Sequence, residues 1–284
     1  LGIKRSEKAL SYNVQQLSGD ELTTVKDANF ISSLNGKVAG VNINSSNTTG
    51  GASRVVMRGV KYITSSNLAL YVIDGVPMYN MMNGGGGGIY DQQGTDGAAD
   101  INPEDIESMS VLTGAAAAAL YGSDAANGAI IITTKKGKEG RVNITVNSSV
   151  EFNAPLVMPR FQTRYGTGIG GVKDDNSSRS WGPKLTEARY FGYNPRDDYF
   201  QTGVIGTESV SFSTGSEKNQ TYASAAAVNS KGIVPNNKYD RYNFNVRNTT
   251  SFLDDKMTLD VNASYILQKD RNMVNQGTYN NPLV

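Results

Sequence analysis

Neither cysteine nor histidine occurs among the 284 residues. The first absence removes disulfides, thiolate nucleophiles and thiolate metal sites together. The second removes the commonest general base and transition-metal ligand, and with it most hydrolase constellations. Charge of either sign is not in excess: 27 Lys and Arg against 26 Asp and Glu leave a net +1, so neither nucleic acid nor an acidic surface is implied as a partner. No apolar run of about 18 residues exists, which excludes a transmembrane helix but not membrane strands, whose alternation escapes hydropathy averaging. The chain opens on Leu1 without a methionine or signal peptide and reads as a mature or trimmed product. Its length is a soft prior for two domains.

What is present is organised around Ile101 to Gly137. Asn102 is placed to cap a brief helix with Pro103 at its first position and Glu104 and Asp105 in its first turn, where the helix dipole favours negative charge. Ser108 to Leu112 then reads as a small strand. Ala115 to Tyr121 reads as a slim helix of high propensity, with Gly122 suited to a left-handed cap. Ala129 to Thr134 is an unbroken apolar run, the pattern of a central strand buried on both faces.

Upstream, Tyr12 to Leu17 alternates and meets Ser18-Gly19-Asp20-Glu21, a capping-box spacing. Asp27 is placed to cap a second short helix carrying Phe30, Ile31 and Leu34 on one face before Gly36. Val41 to Ile43 and Val55 to Arg58 read as strands around a polar loop. Leu68 to Ile73 reads as an apolar strand ended by an Asp74-Gly75 turn. Met78 to Ala99, with glycines at 84 to 88, is too long for an ordinary connection and is expected to be functional or disordered. It is not a phosphate cradle, because no Lys-Ser/Thr pair and no good helix follow the glycines.

Beyond a polar boundary at Lys135 to Arg141 the texture changes. Val142, Ile144, Val146, Val150 and Phe152 alternate with polar residues, as do Tyr242, Phe244 and Val246, and then Met257, Leu259, Val261, Ala263 and Tyr265. Period-two segments of roughly ten residues are the sequence form of transmembrane barrel strands. A soluble β-sandwich has the same texture, and on texture alone it is the better reading. Leu253 to Lys256 reads as a short turn, and Arg164 to Gln201 as a long outer loop.

The order of elements resembles the plug domain of TonB-dependent outer-membrane transporters, and within them most the SusC/RagA-like family. The matching residues are Tyr71-Val72-Ile73-Asp74-Gly75-Val76-Pro77, Asn102 to Ser108, Val111-Leu112, Ala115 to Ala119, Leu120-Tyr121-Gly122-Ser123, Ala125-Ala126-Asn127-Gly128 and Ile132 to Gly137, with Leu34 to Val41 and Met57-Arg58-Gly59 upstream. Two positions depart from it: Thr113-Gly114 stands where the family usually has Lys-Asp, closer to the Arg-Gly of siderophore receptors, and Asp124 where a basic residue is frequent. The resemblance implies an α+β plug over residues 1–140, followed over 141–284 by the N-terminal strands of a transmembrane antiparallel β-barrel. Such barrels use about 22 strands, whereas about six are legible here, so the wall is expected to be incomplete and the TonB-binding stretch to lie upstream of Leu1.

The resemblance further implies a transporter rather than an enzyme, in the outer membrane and in contact with its lipid. It would need no cofactor or metal and would import an oligosaccharide or peptide beneath a SusD-like surface lipoprotein. Energy would come from the TonB–ExbB–ExbD complex. A siderophore or cobalamin receptor of the same fold is the nearest alternative, and a secreted adhesin or carbohydrate-binding module a more distant one. The plug-apex loops would touch substrate. Asn47, Thr48, Tyr62, Tyr79, Asn80, Tyr90, Asp91, Gln92 and Gln93 supply flat apolar faces, amides and a carboxylate for that purpose. Asp74 is read as a turn residue rather than a catalytic one, the acids at 104, 105 and 107 as helix-start electrostatics, and Lys135-Lys136 as a solvated exit or a contact with the wall.

Overall fold

The computed structural model describes residues 14–23, 29–44, 53–61, 63, 67–78, 100–159, 162–177, 179–186 and 195–271. The chain begins with strand β1 (Val14–Ser18) and helix α1 (Gly19–Thr23). Their junction is a closed capping box: the Ser18 amide donates to Glu21 Oε2 at 2.8 Å, and the Glu21 amide to Ser18 Oγ at 3.4 Å. The next helical piece is a 3₁₀ turn, Phe30–Leu34, capped by Asn29, whose side chain accepts from the Ile31 amide. The cap expected at Asp27 falls outside the described residues, and Asn29 does the capping instead. Phe30, Ile31 and Leu34 are all buried, as their spacing requires.

Strands β2 (Val41–Asn44) and β3 (Arg54–Met57) pair antiparallel. Strand β4 (Leu70–Ile73) turns back through Asp74 and Gly75, both at positive φ, into β5 (Val76–Met78). Asn102 caps a single 3₁₀ turn at Pro103–Asp105 by accepting from the Glu104 amide at 3.2 Å. Strand β6 (Ile106–Leu112) follows, two residues longer than expected. Helix α2 (Gly114–Tyr121) comes next, ended by Gly122 at φ +76° with an extended ψ of −158°, then β7 (Ala129–Thr134). The strand order β1-β6-β7-β4-β5 makes β7 central, parallel to β4 and antiparallel to β6.

Both faces of β7 are covered. Ile130 and Ile132 join Leu22, Phe30, Tyr71 and Met109 on one side, while Ala129 joins Leu70, Val72, Leu112 and Ala117 on the other. The second layer is thin because alanine lets α2 lie close to the sheet. Gly128 serves the same closeness: at φ +106° a Cβ would stand 2.3 Å from Met57 Sδ. Ala117 is fully buried, so Ala117→Leu is expected to overpack this layer at a cost of about 1–3 kcal/mol. Protease sensitivity of the N-terminal unit, measured in the full-length protein, should rise; unchanged sensitivity would refute the packing argument.

The rest of the chain is built of long strands. Strand β8 (Gly140–Asn153) leads into a long connection that holds the small hairpin β9 (Gly168–Ile169) and β10 (Val172–Lys173), Tyr165 against Trp181 with ring centroids 6.0 Å apart, and helix α3 (Pro195–Asp198). Strands β11 (Gly203–Gly215), β12 (Asn219–Lys231), β13 (Lys238–Phe252) and β14 (Met257–Arg271) then run back and forth. Their order β14-β13-β12-β11-β8 is antiparallel throughout and does not close on itself. These five strands of 13 to 15 residues exceed the ten or so read from alternation. The turn at 253–256 holds three successive residues, Leu253, Asp254 and Asp255, at positive φ.

The long sheet has two different faces. Tyr239, Arg241, Asn243, Asn245 and Arg247 are buried, whereas Tyr242, Phe244 and Val246 between them are exposed, as are Val142, Ile144, Val146, Val261 and Tyr265. The polar face is thus turned inward onto the N-terminal unit and the apolar face outward, the reverse of a soluble sandwich. The outward face also carries polar residues. Glu208 lies in register between Ser148 and Ala227. Asn219, Thr221, Asn248 and Thr250 form a self-contained group, with Asn248 donating to Thr221 Oγ1 at 2.9 Å and Asn219 to Thr250 Oγ1 at 2.7 Å.

Candidate functional site

The chemistry gathers where the N-terminal unit meets the inner face of the long sheet. The β4–β5 turn puts Asp74 beside the end of β7. Its Oδ1 accepts from the Thr134 amide at 3.0 Å and its Oδ2 from the Thr134 hydroxyl at 2.5 Å. Arg247 reaches the same point from β13, with Nη1 donating to Thr134 Oγ1 at 2.6 Å and to Asp74 Oδ2 at 3.1 Å. The rest of its guanidinium grips Asp260 of β14 with two parallel bonds of 2.8 Å, from Nε to Oδ1 and from Nη2 to Oδ2. Lys136 adds a third contact, its Nζ 2.8 Å from Asp260 Oδ2. One buried arginine thus joins carboxylates of both parts of the chain, in the bidentate geometry that makes such bonds strong and directional.

A second fastening lies beside it. The Tyr222 hydroxyl of β12 donates to Asp105 Oδ1 at 2.8 Å, and the Asp105 carbonyl accepts from the Lys135 amide at 2.7 Å. Burial pushes the Asp105 carboxyl above its ordinary value, against the pull of hydrogen bonds from Ser224 and Tyr222, the Lys135 charge and a bond with Asn102. Because folding raises this pKa, its contribution favours the docked arrangement at low pH and is lost as pH rises through the raised value. Asp100 is also pushed up by burial, opposed by Arg241, and its carbonyl accepts from Asn243 Nδ2 at 2.5 Å. The chain leaves this junction at Gly137, where a Cβ would stand 2.4 Å from the Thr221 amide nitrogen, so no larger residue fits between the exit and β12.

Asp74 is a turn residue as its sequence implied, and also half of an ion pair that no turn rule announces. Lys136 takes the wall contact rather than the solvated role. Glu104 and Asp105 do open a helical turn, but Asp105 additionally bonds the sheet. Among the described residues no group of three acidic side chains is placed to hold a metal. All nine apex candidates, Asn47, Thr48, Tyr62, Tyr79, Asn80, Tyr90, Asp91, Gln92 and Gln93, lie outside the described residues. The roots of two of their loops are described. Buried Ser53 accepts from Asn29 Nδ2 at 3.0 Å, and Asn67 Oδ1 accepts from the Lys61 amide at 2.7 Å.

Comparison with known proteins agrees with this geometry. Residues 6–129 match the TonB-dependent receptor plug domain family. The chain is 32% identical over 265 residues to the TonB-dependent receptor SusC of Bacteroides thetaiotaomicron, covering 91% of this chain and 25% of that protein. It is 31% identical over 238 residues to a TonB-dependent receptor of Formosa agariphila, covering 82% of this chain and 21% of the relative. The chain therefore spans about a quarter of the length of the curated relatives it matches. Among solved structures, the RagAB peptide importer in its closed-closed state superposes with a TM-score of 0.71 at 26% identity, over 93% of this chain and 31% of that one. The ferric enterobactin receptor of Pseudomonas aeruginosa shares the fold alone, with a TM-score of 0.58 at 13% identity, over 90% and 33%.

Proposed function

Because the chain belongs to the SusC/RagA-like TonB-dependent receptors, with a plug followed by strands of an outer-membrane barrel, we propose that the whole protein actively imports an oligosaccharide or a peptide. A SusD-like surface lipoprotein would cover the outer mouth, and the TonB–ExbB–ExbD complex would supply the energy from the inner membrane. We place the division between plug and wall near residue 140. The observation that carries this reading is the nature of the plug–wall contact. Arg247, Asp260, Lys136, Asp74, Tyr222 and Asp105 are joined by ion pairs and hydrogen bonds, and such groups can exchange their partners for water when the plug is displaced. Apolar surfaces would pay the full hydrophobic penalty on parting. Displacement or partial unfolding of a weakly held element is a known way to switch a path open. No covalent chemistry is involved.

Uptake of labelled oligosaccharides and peptides by cells making the full-length protein tests the proposal. Uptake should stop when the inner membrane is de-energised or TonB is deleted, and a surface lipoprotein should co-purify; accumulation that persists without TonB would refute active import. Selectivity is assigned to the apex loops. Tyr90→Ala and Gln92→Ala are expected to weaken ligand binding by about 1–3 kcal/mol, roughly tenfold or more, with the barrel intact. Calorimetry showing wild-type affinity in both variants would move the site elsewhere in the lumen.

A further inference from the structure

The outward side of the long sheet carries an acidic side chain in the middle of its apolar band. Along β11 the outward positions run Val204, Gly206, Glu208, Val210 and Phe212, and on β8 the residue opposite Glu208 is Ser148, flanked by Val146 and Val150. Glu208 therefore faces hydrocarbon near mid-depth rather than headgroups. It is exposed, and among the described residues its carboxylate has no hydrogen bond or ion pair. The Tyr242 hydroxyl of the same row is turned to Asn229, from whose Nδ2 it accepts at 3.2 Å. Between residues 142 and 152, 204 and 212, and 221 and 229, the strands around it contain no lysine or arginine. An ionisable side chain within a membrane is costly alone and marks a site where a partner meets it.

The surface around Glu208 is shaped as well as charged. A groove of about 500 Å³ runs beside it. Its floor is Ala225 and Ala227 of β12, and its sides are Val146 and Val210 on one hand and Tyr242 and Phe244 on the other. The valine of β11 and the aromatics of β13 stand two strand spacings apart, roughly 10 Å, which is about the diameter of an α-helix with its side chains. Small residues that allow close approach, beside a polar group that bonds across, are the means by which elements associate within a membrane. The groove lies on the outer surface of four neighbouring strands, so closing the barrel leaves it open to the outside.

Charge selects among the occupants. Acyl chains offer Glu208 no partner at this depth. A second upright copy meeting this face with the same face would set Glu208 against Glu208, like against like. We propose that the groove docks a membrane-spanning partner helix carrying a lysine or arginine midway along its length, paired with Glu208. The inference rests on the reading of these strands as an outer-membrane wall, and it concerns the outside of that wall rather than the path through it.

The probe is a synthetic leucine–alanine helix of about 20 residues with one central arginine and a photoreactive leucine beside it, reconstituted with the purified full-length protein in phospholipid nanodiscs. Cross-links should map to β11 and β12. Their yield should fall about tenfold when the central arginine is replaced by leucine, and equally in Glu208→Gln. Ala225→Phe, which fills the floor and leaves Glu208 in place, should reduce it as well. Glu208→Lys should reject the arginine helix and capture one with a central glutamate. Equal yields from the arginine and leucine helices, undiminished capture by Glu208→Gln, or no capture by the wild-type protein because a neighbouring strand already pairs Glu208 would each overturn the proposal. The comparison of helices on the wild-type protein decides the matter if a variant does not assemble. Capture is read without transport, so its failure leaves the import reading standing, and failure of uptake leaves this site standing.

Discussion

Replacing Arg247 with alanine is expected to loosen the plug by about 3 kcal/mol, since removing one member of a buried ion pair strands its partners. Three acceptors lose their donor together: Asp74, the Thr134 hydroxyl and Asp260. Lys136 remains to neutralise Asp260, and Asp74 keeps both of its bonds from Thr134, so the plug should stay folded while its hold on β13 and β14 weakens. Arg247→Lys separates charge from geometry. It retains the cation but cannot make two parallel bonds to Asp260 while reaching Thr134, and should fall between wild type and alanine. The measurement is the urea concentration at which protease cuts the 135–139 segment of the full-length protein. A midpoint in Arg247→Ala equal to that of wild type would mean that the ion pairs contribute nothing to docking. A collapse of Arg247→Ala and Arg247→Lys alike would mean that they are needed for folding rather than for attachment.

The plug was legible in the sequence wherever its causes are local. The Ser18–Glu21 box, the Asn102-Pro103 start, the alanine helix and the Asp74-Gly75 turn depend on residues a few positions apart, and each is formed. The doubly apolar β7 implied a central place, which it has. Errors lie where neighbours decide. Asn29 took the cap expected of Asp27 because its side chain reaches the Ile31 amide of a 3₁₀ turn. Strand β6 starts at Ile106 because pairing with β7 extends to Thr134 through an irregularity at Ile106 and Ser108. The long strands outrun their alternation because ladder bonds continue past the apolar band. The fastening of plug to wall was hidden for a stronger reason. Asp74 and Arg247 are 173 residues apart, and no spacing rule relates them. The remaining hint was a weak one: Arg247 and Asp260 each sit at the polar phase of an alternating strand, where a lumenal face would place them.

The outward phase of those same strands gives the second large effect. Met257, Leu259, Val261, Tyr265 and Leu267 are exposed on β14, and Val261 stands near the middle of this series. Its neighbour Asn262 points the other way, in register with Arg247 on the plug side of the sheet. An arginine facing the hydrocarbon near the midplane destabilises an outer-membrane barrel by about 2–4 kcal/mol, and by much less near either interface. Val261→Arg in the full-length protein should therefore reduce the fraction of folded, heat-modifiable barrel on gels. Asn262→Arg places the same charge in water-accessible lumen and should assemble as wild type does. Since both substitutions introduce one guanidinium at adjacent positions of one strand, net charge and strand propensity cancel between them, and what remains is the face. Equal heat-modifiability of the two variants would mean that β14 does not present Val261 to lipid; a defect confined to Asn262→Arg would mean that its two faces are the reverse of those described.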